Sequence, residues 1–253
     1  MKTIVAELHV HTVLSPCADV EMIPPLIVQA ALDNGLDLIA ITDHNASANV
    51  AAVQQAAQGT RLNVLPGMEV QTREEVHVLC VFDTPAQLEA WQQIVDAQLP
   101  ALDNDIEHFG EQFVVDAEGN FIRREPRLLI VSTALSLEET VGQVNAIGGM
   151  AIPAHVDRKA FGLIEHLGFV PPDLPIAAIE ISRHLSPLDA ARRFPQIKGY
   201  PLIQGGDAHR LDELLGANVF ELAAPGVAEL RLALAGREGR RLTYRVDKPR
   251  VYP

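Results

Sequence analysis

Short apolar, β-branched segments alternate along this chain with amphipathic segments of helical period, and this alternation limits the folds that it can adopt. The first pairs are a strand over residues 3–12 with a helix over 24–34, and a strand over 36–42 with a helix over 46–58. Repeated βα units of this kind build a largely parallel sheet covered by helices. Roughly seven or eight such units are too many for a small sheet and suit a barrel. The sequence therefore predicts an α/β barrel.

The alternation is interrupted between residues 100 and 127. Two short strand-like runs, 113–115 and 121–123, flank the turn-forming segment Asp116-Ala117-Glu118-Gly119-Asn120, which predicts a hairpin. A strand over 128–131 is then expected, and the series ends with a strand near 242–246. We interpret 100–127 as an insertion in a single domain that spans residues 1–253.

Charge and composition narrow the functional classes. The chain has 33 Asp and Glu against 20 Lys and Arg, a net charge of −13, which disfavours a long nucleic acid as a partner and favours a small substrate. No apolar run reaches the roughly 18 residues of a membrane span. The only cysteines, Cys17 and Cys80, provide no disulfide framework, so we expect a cytoplasmic protein without membrane contact. Its oligomeric state is left open.

Histidine and carboxylate residues collect at the ends of the predicted strands. His9 and His11 form an HxH pair at the end of the first strand, where period-two alternation puts both side chains on one face. Later strands continue the pattern with His44, Glu69, His77, His155, Asp207 and His209, each expected at or near a carboxyl end. In a barrel these ends meet at one mouth. Imidazole and carboxylate groups gathered there would bind Zn, Mn or Fe, whereas unconnected core and surface histidines are the alternative.

The loop after the first strand adds two candidates. Asp19 could be a ligand or an ordinary loop acid, and Cys17 could be a ligand or a small loop residue. His108, His166 and His184 have no partner pattern, and we interpret them as structural or solvent-facing.

Several segments together resemble the PHP (polymerase and histidinol phosphatase) family of metal-dependent phosphoesterases. They are the strings "ELHVHTVLSPCAD", "GLDLIAITDHN", "VLPGMEV", "EEVHVLCVF", "AIPAHVDR" and "GGDAH", in the order of the family's motifs. The resemblance implies a distorted (βα)7 barrel of TIM-like type with two or three divalent ions in its mouth. It looks like the short stand-alone members rather than the polymerase-embedded domains. One departure is Glu7, where the family usually has Asp or Asn.

The resemblance also assigns ligands by position. His9, His11, Glu69 and Asp207 would hold one ion, Glu69 would bridge to a second held by His77 and His155, and Asp19, His44 and His209 would hold a third.

Such a centre implies hydrolysis of a small phosphate ester, nucleotide-like or histidinol-phosphate-like, by a hydroxide formed from metal-activated water. Arg158 is the candidate phosphate-binding cation, because its planar fork can hold two phosphate oxygens. Asp43 is expected to orient His44 or a neighbouring ligand. Two alternatives stay open: an exonuclease acting on RNA or DNA ends, and a non-catalytic metal-binding module.

Overall fold

One curled sheet of seven strands forms the centre of the computed structural model, which describes residues 1–245. Its strand order is β11-β10-β1-β2-β3-β4-β7, and β5-β6 and β8-β9 form two further pairs. The strands are β1 (Lys2–Val10), β2 (Leu38–Ile41), β3 (Asn63–Gln71), β4 (His77–Val81), β5 (Phe113–Val115), β6 (Phe121–Arg124), β7 (Met150–Pro153), β8 (Ile179–Ser182), β9 (Leu202–Gly205), β10 (Asn218–Leu222) and β11 (Arg241–Tyr244). The helices are α1 (Pro24–Asp33), α2 (Val50–Ala56), α3 (Pro85–Gln98), α4 (Ile106–Phe109), α5 (Leu137–Ala146), α6 (Leu163–Leu167), α7 (Pro187–Arg193) and α8 (Val227–Leu234).

The β8-β9 pair closes the curled sheet into a barrel. After β9, the N–H of Ala208 donates to the carbonyl of His9, and the N–H of His11 donates to the carbonyl of Ala208, both at 3.0 Å. On the other side, the Val156 N–H donates to the Glu180 carbonyl of β8 at 3.0 Å. The strands β1, β2, β3, β4, β7, β8 and β9 therefore surround a common centre, and the predicted distorted seven-stranded barrel is confirmed.

The distortion arises at β4, which runs antiparallel to both β3 and β7. The connection between β3 and β4 is too short for a helix, so β4 returns directly beside β3. Its amino-terminal end consequently lies beside the carboxyl ends of the parallel strands. The expectation that His77 lies near the carboxyl end of a strand is wrong, because His77 is the first residue of β4.

The core has two main parts, one on each side of the strands. One cluster joins strand residues to helices α1, α2, α3 and α5, and the other joins strand residues to α8. β2 is buried at all four positions, as expected of a parallel strand covered on both faces. Capping boxes at Thr84 with Gln87 and at Ser136 with Glu139 start α3 and α5.

The hairpin predicted within the insertion is present as β5 and β6, followed by a segment that differs from the prediction. Residues 128–131 are not a strand. The side-chain amide of Asn45 donates to the carbonyls of Leu129 and Val131 at 2.7 and 2.8 Å, and the Leu129 N–H donates to Gln112 Oε1 at 3.0 Å. Because side chains already satisfy this backbone, the segment needs no strand partner.

At the end of the described chain, the predicted last strand corresponds to β11 as far as Tyr244. Val246, which was included in that prediction, lies outside the described residues. No helix within residues 1–245 has the length and apolar character needed to cross a membrane.

Candidate metal centre

Glu69 lies at the centre of a histidine cluster in the barrel mouth. It projects from β3 and is completely buried. Its Oε1 lies 3.2 Å from His9 Nε2, 2.9 Å from His77 Nδ1 and 3.3 Å from His155 Nε2, and its Oε2 lies 3.5 Å from His11 Nε2 and 3.0 Å from His44 Nδ1. One carboxylate therefore contacts five imidazoles that come from four separate segments of the chain.

His9, His11 and Asp207 form a triangle of donor atoms beside Glu69. Asp207 Oδ1 lies 3.1 Å from His9 Nε2 and 3.2 Å from His11 Nε2, and the two Nε2 atoms are 3.1 Å apart. Tetrahedral zinc with ligand bonds of about 2.0–2.1 Å would separate neighbouring donors by about 3.3 Å. The triangle thus has the dimensions of one face of a metal site.

Buried polar atoms without hydrogen-bond partners provide a second indication that the cluster fits metal ions. They include Glu69 Oε2, His77 Nε2 and His155 Nδ1. Leaving such atoms unsatisfied costs about 1–3 kcal/mol each, so a native protein rarely gathers several without a reason. The histidines and carboxylates also form three overlapping groups with metal-ligand spacing: His9, His11 and Glu69; His44, Glu69 and His77; and His11, His44 and His209. The cluster is suited to more than one ion.

Two further acids, Glu180 and Asp43, are hydrogen-bonded to the histidines of the cluster, the first directly and the second through a serine. Glu180, from β8, accepts a hydrogen bond from His9 Nδ1 at 2.9 Å and from the His155 N–H at 3.1 Å. Asp43 accepts from the Ser15 hydroxyl at 2.7 Å, and Ser15 Oγ lies 3.0 Å from His11 Nδ1. Both arrangements direct an Nε2 atom towards the cluster. Asp43 is therefore connected to His11 through the Ser15 hydroxyl, and its orienting role stays a prediction.

Glu180 and Ser15 were not among the residues predicted from the sequence. The available signal for Glu180 was a carboxylate within the apolar strand Ile179–Ser182, a position that burial makes costly without a partner.

The loop after β9 holds Asp207 in a conformation that few residues adopt. Asp207 has φ +47°, and His155 has φ +28°. Backbone strain of this kind persists where surrounding contacts fix it. Glu7 supplies such contacts, since its two oxygens accept the N–H groups of Gly206, Leu215 and Gly216 at 3.1–3.3 Å.

Arg158 lies next to this loop. Its guanidinium forms an ion pair with Asp207 Oδ2, and its side chain lines the cavity over the cluster. The neighbouring Asp157 is engaged elsewhere, with the backbone and hydroxyl of Ser182. Arg158 is thus placed beside a predicted ligand and within reach of a molecule in the cavity.

Asp19 is the one predicted ligand that the structure leaves apart from the cluster. Its side chain is exposed and accepts the Glu21 N–H at 3.2 Å, whereas its backbone N–H donates to the His209 carbonyl at 2.8 Å. Its role as a ligand stays a prediction. The side chain that contacts His209 Nε2 is Cys17, with Sγ at 3.1 Å.

The cavity above the cluster has a volume of about 490 Å³. Histidine and carboxylate side chains of the cluster line one part of it, and Phe109, Ile130, Ala160 and Phe161 line another. Phe109 comes from α4 in the insertion, and Phe161 stacks on His77 with ring centroids 4.4 Å apart. The cavity can therefore hold a molecule with both an anionic and an apolar part.

The buried ionisable groups of the cluster shift one another's pKa values. Burial raises the pKa of the Glu69 carboxyl, but its interactions with His77, His9 and His44 outweigh burial and hold that pKa well below its usual value. Burial lowers the pKa of His9, yet Glu180, Asp207 and Glu69 raise it well above the usual value. His44 shifts in the same direction, chiefly through Glu69 acting against burial. Protons on these rings thus neutralise the carboxylates in the metal-free protein.

The pKa values of two other groups of the cluster, His77 and Cys17, are lowered, unlike those of His9 and His44. Burial lowers the pKa of His77 to about 4 despite the attraction of Glu69. Burial raises the pKa of the Cys17 thiol, but the charge of His44 and hydrogen bonds to His209 and His44 outweigh it and lower that pKa to about 6.

Known bacterial proteins resemble this chain in sequence, among them the following two. The uncharacterized protein YqxK of Bacillus subtilis is 23% identical over 275 residues, covering 96% of this chain and 64% of YqxK. The 5'-3' exoribonuclease Rnm of Salmonella typhimurium is 31% identical over 81 residues, covering 30% of this chain and 27% of Rnm. The chain thus spans under two thirds of the length of either protein.

A similar fold occurs in a lesion-specific endonuclease, PfuEndoQ from Pyrococcus furiosus. The TM-score is 0.71 at 20% identity, over 95% of this chain and 58% of that one. Endonuclease Q bound to a 27-mer duplex with an abasic lesion at the active site gives a TM-score of 0.67 at 19% identity, with the same coverage. Our expectation that a long nucleic acid is disfavoured as a partner is therefore wrong, because this fold accommodates a duplex. Net charge averages over the whole surface and does not decide what the mouth binds.

The model of the PHP domain family matches residues 7–144, more than half of the chain. The match contains His9, His11, His44, Glu69 and His77, five of the residues assembled in the barrel mouth. The seven-stranded barrel and its metal-binding cluster agree with this match, and the chain belongs to the PHP domain family.

Proposed function

We propose that this chain is a metal-dependent phosphoesterase that hydrolyses a small phosphate ester, nucleotide-like or histidinol-phosphate-like. The observation that carries the proposal is the contact of Glu69 with five histidines directly beneath a cavity lined by Arg158. A purely structural metal site closes with four ligands and has no need of a cavity.

The ligand assignment follows the donor groups. His9, His11, Glu69 and Asp207 would hold one ion, Glu69 with His77 and His155 a second, and His44 with His209 a third, to which the family pattern adds Asp19. Zinc, manganese or iron suits this mixture of imidazole and carboxylate. When bound, such ions supply a water acidic enough to attack phosphorus near neutral pH and neutralise charge on the phosphoryl oxygens.

The chain's own groups would orient the ligands and bind the substrate. Glu180 accepts a hydrogen bond from His9 Nδ1, and Ser15 Oγ accepts one from His11 Nδ1. The Nε2 atoms of both rings then face the cluster and are free to bind metal. Arg158 would hold phosphate oxygens through its guanidinium, which its contact with Asp207 keeps at the mouth. The apolar wall of Phe109, Ile130 and Phe161 would receive the organic part of the ester and limit access of water.

Purified protein supplied with Mn or Zn should release phosphate from members of a broad monoester panel. His9→Ala should abolish this activity, because it removes a donor that contacts both Glu69 and Asp207. His184→Ala is the matched control, since His184 is exposed and outside the cluster, and it should retain activity. If the wild-type protein released no phosphate from any ester with any metal, the proposal would be rejected.

A second candidate function is cleavage of nucleic acid, at an RNA or DNA end or within a duplex. It is supported by the sequence similarity to the exoribonuclease Rnm and by the fold shared with Endonuclease Q. The same donors and the same cavity would serve, with a terminal or exposed nucleotide occupying the mouth.

End-labelled RNA, single-stranded DNA and an abasic-site duplex, each compared with a mononucleotide, separate the two functions. Faster turnover of a polymer would establish the nuclease, and faster turnover of the mononucleotide would establish the small-ester enzyme. If neither is cleaved, while substitutions of the ligands change only the melting temperature, the chain is a non-catalytic metal-binding module.

A further inference from the structure

The loop between β1 and α1 folds back onto the metal-binding cluster. The Asp19 N–H donates to the His209 carbonyl at 2.8 Å, and the Ala18 N–H donates to the Ser15 carbonyl at 2.9 Å. These bonds fix the intervening Cys17 at the edge of the cavity, with its Sγ 3.1 Å from His209 Nε2. A thiol is thus held against a histidine that the family pattern assigns to metal binding.

The ring orientation of His209 brings together two atoms, Nε2 and the Cys17 sulfur, that can each bind a metal ion. His209 Nδ1 lies 2.9 Å from the Asp207 carbonyl oxygen, which can only accept, so Nδ1 carries the proton. The ring atom that faces the sulfur is then Nε2, and its lone pair becomes available to a metal ion once no proton is held between the two atoms. Zinc bonds of about 2.3 Å to sulfur and about 2.0–2.1 Å to nitrogen, at a tetrahedral angle, place these two atoms about 3.5 Å apart. The observed separation is within half an ångström of that value.

The neighbouring groups complete a donor set around this position. Nitrogen atoms of His11, His44 and His209 lie within 4.8 Å of one another. Glu69 Oε2 is buried in the lining of the same cavity, and although it lies 3.0 Å from His44 Nδ1 the two groups are not aligned for a hydrogen bond. An ion at this position would satisfy that oxygen. The Asp19 carboxylate, in contrast, is exposed and bonded to the Glu21 N–H.

We propose that the Cys17 thiolate is a ligand, together with His44 and His209, of the third metal ion of this centre. The inference rests on the metal-dependent function proposed above. On binding, the S–H bond breaks, the sulfur forms a bond to the metal, and the proton leaves to solvent. Because thiolate is a soft ligand, this position selects Zn over Mn.

Cobalt substitution tests the proposal directly, because cobalt(II) bound by thiolate absorbs in the near ultraviolet through sulfur-to-metal charge transfer. The wild-type protein loaded with Co²⁺ should show this band. Cys17→Ser should lose it and retain the visible bands of cobalt held by nitrogen and oxygen. Cys80→Ala is the matched control, since Cys80 is buried in β4, and it should retain the charge-transfer band.

Thiol reactivity gives a second readout that does not depend on activity. In the native metal-free protein Cys17 is the exposed thiol and Cys80 is buried, so a thiol reagent should modify Cys17. Zn²⁺ should protect Cys17, and Mn²⁺ should protect it less.

The outcomes separate this proposal from the proposed function. Bound cobalt without a thiolate band, or equal reactivity of Cys17 with and without Zn²⁺, overturns the role of Cys17 and leaves the phosphoesterase proposal standing. Failure of the wild-type protein to bind any cobalt overturns both. Loss of the band in Asp19→Asn but not in Cys17→Ser would also contradict the assignment.

Discussion

Glu69 is the residue on which most of the cluster depends. Its carboxylate is the only acid in contact with all five of His9, His11, His44, His77 and His155 among the described residues. Without it, His9 and His44 lose a charge that balances their protons, and the proposed first two ions lose their bridge.

Glu69→Gln should therefore lower phosphoesterase activity by at least about 100-fold, since even residues that only orient metal ligands contribute about 10- to 100-fold. The amide keeps the shape of the side chain and removes its charge. Metal content by mass spectrometry and phosphate release should fall together. Glu118→Gln, at an exposed turn of the insertion, is the control and should change neither. Full metal content in Glu69→Gln would contradict the bridging role.

Arg158 should affect substrate binding without affecting metal content. Arg158→Gln removes charge-assisted hydrogen bonds worth about 1.5–3 kcal/mol, which corresponds to about 10- to 100-fold in kcat/KM. Arg158→Lys should recover part of the loss because it restores the charge without the planar fork. Kinetics on the best ester of the panel, with metal content measured in parallel, test this. A normal kcat/KM in Arg158→Gln would show that Arg158 serves only as the partner of Asp207.

The convergence of these histidines and carboxylates could be predicted from sequence because strand ends are visible as patterns and meet at one mouth in a barrel. Asp207 and His209 follow the apolar run of β9 in the same way that His9 and His11 end β1. Cys17 and Asp19 could not be ranked in this way, because a loop has no periodicity from which the direction of a side chain follows. Only the fold of the loop against His209 separates them.

At the scale of elements, β8 and β9 support the cluster through a close contact between a glycine and a carboxylate. A β-carbon added at Gly205 would lie 2.2 Å from Glu180 Oε2. Glu180 in turn holds His9 Nδ1 and the backbone of His155. The absence of a side chain at Gly205 therefore lets β8 place its acid beneath the ligands.

Gly205→Ala should displace Glu180 and destabilise the protein by about 1–3 kcal/mol, the usual cost of overpacking a buried site. The same substitution at Gly142 should change the free energy of unfolding in the opposite direction. Gly142 lies within α5, where an added β-carbon would meet nothing within 4 Å, so Gly142→Ala should stabilise by about 1 kcal/mol. Urea unfolding of the metal-free variants measures both changes. Equal effects at the two positions would contradict the role of the Gly205 contact.

The order of strands and helices was largely predictable from the sequence, and the errors in that prediction have physical causes. Residues 128–131 have the apolar, β-branched composition of a strand, but the side chains of Asn45 and Gln112, distant in sequence, take their backbone groups. The orientation of β4 decides which end of the strand carries His77, and strand composition is the same in either direction. Glu180 was not predicted for a similar reason, because its partners, His9 of β1 and the backbone of His155 after β7, come within reach only when the barrel closes.

For the whole molecule, metal binding and pH should act together. The pKa values of His9 and His44 are raised in the folded metal-free protein by Glu69 and the neighbouring acids, acting against burial. A raised histidine pKa stabilises the fold fully below its unfolded value of about 6.5, and this contribution is lost as the pH rises through the folded value. The pKa values of the Glu69 and Asp207 carboxyls are lowered, so both groups stay charged at neutral and alkaline pH. Their contribution to the free energy of unfolding is therefore constant there. Binding of an ion displaces the same protons, so it strengthens as the pH rises.

The melting temperature with Zn²⁺ should therefore exceed that with a chelator by a margin that widens from about pH 6 to about pH 9. Thermal unfolding at a series of pH values in both conditions measures this margin. His108→Ala, outside the cluster, should show the same widening as the wild-type protein. A margin that stays constant or narrows would contradict proton displacement by the metal.

The position of Glu69 at the middle of a multinuclear metal centre underlies every proposal made for this chain. Anomalous diffraction from crystals of the Zn-loaded protein, recorded on both sides of the zinc absorption edge, locates the ions themselves. We predict two or three peaks in the barrel mouth, with one ion between His9, His11 and Asp207 and another between His77 and His155, both bound by Glu69. Absence of peaks in the mouth at full zinc occupancy elsewhere, or a single ion that does not touch Glu69, would contradict this arrangement.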